Sequence, residues 1–93
     1  MIERAGKELR VSGALTIANA AAECESAKQH FSGEVVIDLA AVTEVDSSAL
    51  SVLFDWRRAA QSSGSKISFR NLPESLKSLA ALYGVSDLVA AEP

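Results

Sequence analysis

Asp46, Ser47 and Ser48 stand directly ahead of the run Ala49-Leu50-Ser51-Val52-Leu53-Phe54, which sets a carboxylate and two hydroxyls against an apolar segment. Three chemistries fit such a group: a serine nucleophile, a helix cap and a phosphate acceptor. A nucleophile needs a base within hydrogen-bonding reach and a third group to orient that base. The one histidine, His30, belongs to the end of the preceding helical segment, where it reads as a helix-end cation or a solvated side chain. Asp38 and Asp46 have no recognisable third ligand and make a poor metal pair. Gly33 and Gly64 are isolated, so no glycine-rich phosphate loop is present. The expectation is a protein with no catalytic residue, no metal and no cofactor.

Capping is the simplest use of these side chains. The first turn of a helix has unpaired N–H groups, and Asp46 or Ser47 can accept from them. One acceptor suffices, and here three polar residues stand in a row. A phosphate on Ser47 or Ser48 would sit at the positive end of the helix dipole, where an anion is favoured. Asp46 and Glu44 would repel that phosphate unless a cation or a partner compensates. Ser47 and Ser48 are therefore the candidate switch residues.

At about 100° per residue, Ala49, Val52, Leu53, Trp56, Ala59 and Ala60 share one face of this helix, the face expected against a sheet. Leu50 and Phe54 fall off that stripe, on the side of Ser47, Ser51, Arg57 and Arg58. Either a neighbouring helix or the chain end covers them, or they form a partner-binding patch. On the second reading Asp46, Ser47, Leu50, Ser51, Phe54 and Arg58 make the contact.

The elements that position these residues follow from periodicity. Ile2 to Arg4 and Glu8 to Ser12 read as a half-buried hairpin, with Gly13 ending the pairing. Thr16 to about Phe31 reads as an amphipathic helix capped by Thr16, with Ile17, Ala20, Ala21, Cys24, Ala27 and Phe31 on its apolar face. The β-branched run Val35-Val36-Ile37 marks a central strand over Glu34 to Leu39, followed by a loop through Val42 to Val45. A second helix spans Ser47 to Gln61, Lys66 to Arg70 alternates as a strand, and a third helix follows Pro73 and ends at Gly84. Val85 to Ala90 would add a turn of helix. Strands alternating with helices imply an α/β fold, a mixed sheet carrying its helices mainly on one face.

Composition bounds the function. Ninety-three residues, 48% of them hydrophobic and 23% charged, suit one globular domain over residues 1–93. A net charge of -3 gives no basic field for nucleic acid. Cys24 is the lone cysteine, without a disulfide or zinc partner, and reads as a small buried thiol. No segment approaches the roughly eighteen apolar residues of a membrane span and the beginning of the chain is unlike a signal peptide, so the expected location is the cytoplasm. A membrane would be reached only through a partner.

From Val35 to Leu88, "VVIDLAAVTEVDSSALSVLFDWRRAAQSSGSKISFRNLPESLKSLAALYGVSDL", the sequence resembles STAS domains, the anti-sigma factor antagonist family. The resemblance covers nearly the whole chain, and its most specific part is Asp38-Leu39, a short loop, then Val45-Asp46-Ser47-Ser48 and an apolar helix. It implies a four- or five-stranded mixed sheet with helices on one face, and a hydroxyl residue at the start of the second helix that partner kinases phosphorylate. Ser47 occupies that position, with Ser48 beside it. Many members have glycine where this chain has Ala49. The ending "LAALYGVSDLV", Leu79 to Val89, resembles the MlaB-type subunit of bacterial phospholipid-trafficking ABC transporters, whose corresponding hydroxyl residue is a threonine. That resemblance implies binding to the transporter's ATPase subunit. The alternative it leaves open is an antagonist that captures an anti-sigma factor or serine kinase and is controlled by serine phosphorylation.

Overall fold

A computed structural model describes residues 1–85. The elements are β1 (Ile2–Ala5), β2 (Glu8–Leu15), α1 (Ala20–Lys28), β3 (Glu34–Val45), α2 (Ser47–Ser63), β4 (Lys66–Arg70) and α3 (Glu74–Leu82). The strands form one sheet in the order β1-β2-β3-β4, with β1 antiparallel to β2 and the other neighbours parallel. The fold is therefore α/β, with four strands among the described residues. The turn of helix expected over Val85 to Ala90 lies, beyond Val85, outside them.

Parallel strands laid down in chain order and joined by right-handed crossovers carry their helices to the same face. The burial pattern agrees. Leu9, Val11, Val35, Ile37, Leu39 and Phe69 point into one core that also holds Cys24 and Ala27 of α1, Val52, Leu53 and Trp56 of α2, and Leu76 and Ala80 of α3. On the other face Arg10, Asp38 and Arg70 lie side by side in register, and Glu8 accepts hydrogen bonds from Arg10 (3.1 Å) and Arg70 (2.9 Å).

The hairpin forms as its sequence predicts, closed by a two-residue turn with Gly6 at φ +63°. Gly13 does not end the pairing. At φ +81° it sits in an irregular stretch where the β2–β3 register shifts, and β2 continues to Leu15. That continuation explains a second difference. The expected loop from Val42 to Val45 is strand, because Gly13, Ala14 and Leu15 supply it with partners in Val42, Glu44 and Val45.

α1 is shorter than the periodicity suggests. Thr16 does not cap it; Thr16 to Asn19 form a turn instead. In that turn the Thr16 carbonyl accepts from Asn19 N–H (3.0 Å) and Ala20 N–H (2.8 Å), while Asn19 Oδ1 accepts from Thr16 N–H (2.9 Å). An asparagine that bonds its own local backbone competes with the helix ladder, so the helix starts at Ala20. Ile17 and Ala21, expected on the apolar face, are exposed, Ile17 by 80%. α2 runs two residues past Gln61 and ends in a Schellman motif, with Gly64 at φ +74° and Ser65 N–H bonding the Ala60 carbonyl at 2.8 Å.

Candidate functional site

β3 delivers the chain to the N-terminus of α2. Asp46, in extended conformation, caps that helix through Oδ1, which accepts from Ser48 N–H at 2.8 Å. Its other oxygen, Oδ2, accepts from Ile17 N–H at 3.1 Å, so one carboxylate ties the β2–α1 turn to the start of α2. The Ile17 N–H, followed by that of Ser48, holds the Asp46 carboxyl below the usual range despite partial desolvation. Asp46 is thus half-buried and committed to two backbone donors. Ser47 and Ser51 are exposed, and Ser48 is half-buried.

Leu50 corrects the helical wheel. It is only 4% exposed and belongs to the core, because α3 packs beside α2 and widens the buried stripe by one position. Ala49, Val52, Leu53, Trp56 and Ala60 are buried as expected, and Phe54 is half-buried. Leu50 is therefore a floor residue rather than an exposed anchor. An open groove of about 350 Å³ lies above it, lined by Ser47, Ser48, Ser51 and Phe54 of α2 and by Tyr83 and Val85 at the end of α3. The groove brings together four of the six residues expected at a partner contact, Ser47, Leu50, Ser51 and Phe54. Asp46 stands behind the groove as its cap, and Arg58 lies further along α2, exposed.

The next turns of α2 are fastened to α1. Asp55 accepts from Lys28 Nζ (2.7 Å), Cys24 Sγ (2.9 Å) and Arg58 Nη2 (3.3 Å), and these donors, the thiol foremost, push its carboxyl down to about 2. Burial, with the hydrogen bond to Asp55 second, pushes the Cys24 thiol up to about 12, so at neutral pH it is a protonated donor. Trp56, fully buried, donates its indole N–H to the Cys24 carbonyl at 3.0 Å.

His30 follows α1 and precedes β3, whereas Ser47 follows β3, so the twelve residues of that strand hold them at opposite ends of the sheet. Asp38 and Asp46 are likewise separated by the length of strand between them. Asp38 Oδ1 accepts from Ala40 N–H (2.9 Å) and Asn71 Nδ2 (3.1 Å). Burial acts to raise its pKa, but these donors and Arg70 outweigh it and the net shift is downward. No group of three metal-ligating side chains occurs among the described residues. Sequence reasoning does not place Ile17, Tyr83 or Asp55 at the site: Ile17 reads there as part of the apolar face of the first helix and Tyr83 as part of the third. The i, i+3 spacing of Asp55 and Arg58 was visible there, but the cross-helix bonds to Lys28 and Cys24 depend on how α1 docks.

A four-stranded mixed sheet with three helices on one face, presenting a hydroxyl-lined helix start, defines a class of small α/β domain. The chain belongs to the STAS domain family: the model described as "Mlab, STAS domain" matches residues 1–90. Its fold is similar to the anti-sigma factor antagonist SpoIIAA in its unphosphorylated form (TM-score 0.74, 10% identity, covering 100% of this chain and 87% of that one). It is also similar to the Bacillus cell fate determinant SpoIIAA in its phosphorylated form (0.64, 13%, 100% and 90%). A third likeness is to the protein TM1081 (0.74, 18%, 98% and 78%). No curated protein sequence matches the chain. No helix among the described residues is long and apolar enough to cross a membrane.

Proposed function

We propose that this chain is a non-enzymatic STAS protein that binds and regulates the ATPase subunit of an ABC transporter for phospholipid trafficking, acting in outer-membrane lipid asymmetry from the cytoplasm. The observation that carries the reading is the groove beside the α2 N-terminus, apolar along Leu50, Phe54 and Tyr83 and edged by Ser47 and Ser51. The MlaB-type family match supports the choice of an ATPase as partner. Contact residues are Asp46, Ser47, Leu50, Ser51, Phe54 and Arg58, with Asp46 and Leu50 acting by shaping the surface. Co-purification with an ABC ATPase subunit encoded in the same genome tests this. Phe54→Asp abolishes the complex, and Ser51→Arg, which alters only an exposed position, weakens it at least tenfold while circular dichroism stays unchanged. A folded pair of variants that still co-purifies removes the groove from the interface.

A second reading keeps the surface and changes the partner to an anti-sigma factor or serine kinase, with Ser47 or Ser48 as the phosphorylated switch. The similarity in fold to SpoIIAA, solved in unphosphorylated and phosphorylated forms, favours it. Ser47 is exposed and Ser48 half-buried, which makes Ser47 the better acceptor. On this reading, intact-mass analysis after incubation with partner-switching kinases shows one phosphate, lost in Ser47→Ala.

A further inference from the structure

The groove beside Ser47 is the first part of a longer depression. Phe54 lines both that groove and the next hollow along α2, which is shaped by Arg57, Arg58 and Gln61. Arg57 and Gln61 in turn line a third hollow with Ser65, Lys66 and Ile67. Joined by these shared residues, the hollows make up a trough along α2 from Ser47 to Gln61, roughly 21 Å at 1.5 Å per residue. Its two halves differ in chemistry: the half near Ser47 is apolar, and the half near Gly64 is basic.

The basic half stands out in a chain of net charge -3. Among the described residues, every carboxylate bridge in this region goes to other cations or is shared: Asp55 holds Lys28 at 2.7 Å and reaches Arg58 at 3.3 Å, and Arg58 is itself 75% exposed. Neither Arg57 nor Lys66 takes part in a salt bridge among the described residues. A single exposed ion pair is a weak competitor for Arg58.

Resting on the reading of α2 as the docking helix, we infer that the trough receives an acidic amphipathic helix of a partner protein, its apolar anchors over Leu50, Phe54 and Tyr83 and its carboxylates over Arg57, Arg58 and Lys66. Helix-in-groove recognition needs an elongated depression with apolar anchor positions, and the trough supplies them. The charge half then fixes which way the partner helix lies, since reversal would set its carboxylates beside Asp46 and its apolar face on the cations. Attraction of this kind acts on orientation and on-rate more than on total affinity.

Two stapled eighteen-residue helical peptides test this without any transporter component. Both carry leucines on one face of the first half; one carries glutamates on the same face of the second half and the other carries lysines there. The glutamate peptide binds at least tenfold tighter at 50 mM NaCl, the gap shrinks at 500 mM NaCl, and R57Q/R58Q/K66Q closes it at low salt. NMR shifts map to α2 and Tyr83. Equal affinity for the two peptides, binding of neither, or shifts away from α2 overturns the inference. So does salt-dependent binding to phosphatidylglycerol vesicles that the glutamate peptide does not compete. A negative ATPase co-purification alongside a clear glutamate preference leaves the trough chemistry standing and removes only the transporter reading.

Discussion

Asp46 uses both of its oxygens on backbone donors, Ile17 N–H, 29 positions before it in the chain, and Ser48 N–H, two positions after it. Removing an N-cap costs about 1 kcal/mol, and stranding a second donor adds to it. Asp46→Ala is expected to lose about 1–2 kcal/mol in urea denaturation, and Asp46→Ser to recover only the capping share. An equal loss in both variants would mean that the Ile17 bond contributes most of the effect; full recovery in serine would mean that it contributes nothing. Ser47 carries no such structural duty among the described contacts, so a change of charge there leaves both bonds of Asp46 in place.

At the scale of elements, α1 and α2 are joined by one buried bond and one half-buried network around Asp55. Trp56→Phe leaves the Cys24 carbonyl without its indole donor inside the core, a loss of about 1–3 kcal/mol readable from the thermal midpoint. The expected elements were legible where a single period dominates: the Val35–Ile37 strand, the Ser47 helix start, the alternating β4. Legibility failed where long-range partners decide. Val42–Val45 is strand because β2 continues beside it, Ile17 is exposed because Asn19 folds onto its own turn, and Leu50 is buried because α3 lies alongside. The site was legible as a set of hydroxyl and apolar residues on α2. Tyr83, in the lining of the groove, and Ile17, the second bond of Asp46, come from segments whose approach no local pattern encodes.

For the molecule as a whole, the lowered carboxyls set the acid limit. Asp55 has a folded pKa of about 2 against 3.8, and Asp38 and Asp46 shift in the same direction. A depressed folded pKa contributes stability that is complete above the unfolded value and is lost as pH falls toward the folded one. Stability should therefore decline between about pH 4 and pH 2, and Asp55→Asn should flatten that slope in urea titrations at successive pH values. An unchanged slope would show that Asp55 is as easily protonated folded as unfolded. The Cys24 thiol, pushed up to about 12, belongs to the same network, and its shift leaves it inert at neutral pH.

The sheet order β1-β2-β3-β4 is also the order of synthesis. Each strand emerging from a ribosome meets a neighbour already made, so the sheet can extend by one edge at a time without waiting for a later segment to insert. The wall of the groove contributed by Tyr83 and Val85 is then among the last parts of the described chain to be translated. A nascent chain displays Ser47 and α2 before Tyr83 and Val85 exist beside them, and only a polypeptide that has completed α3 presents the whole groove. On the docking role proposed for the groove, partner binding would double as a check that synthesis of the described fold is finished.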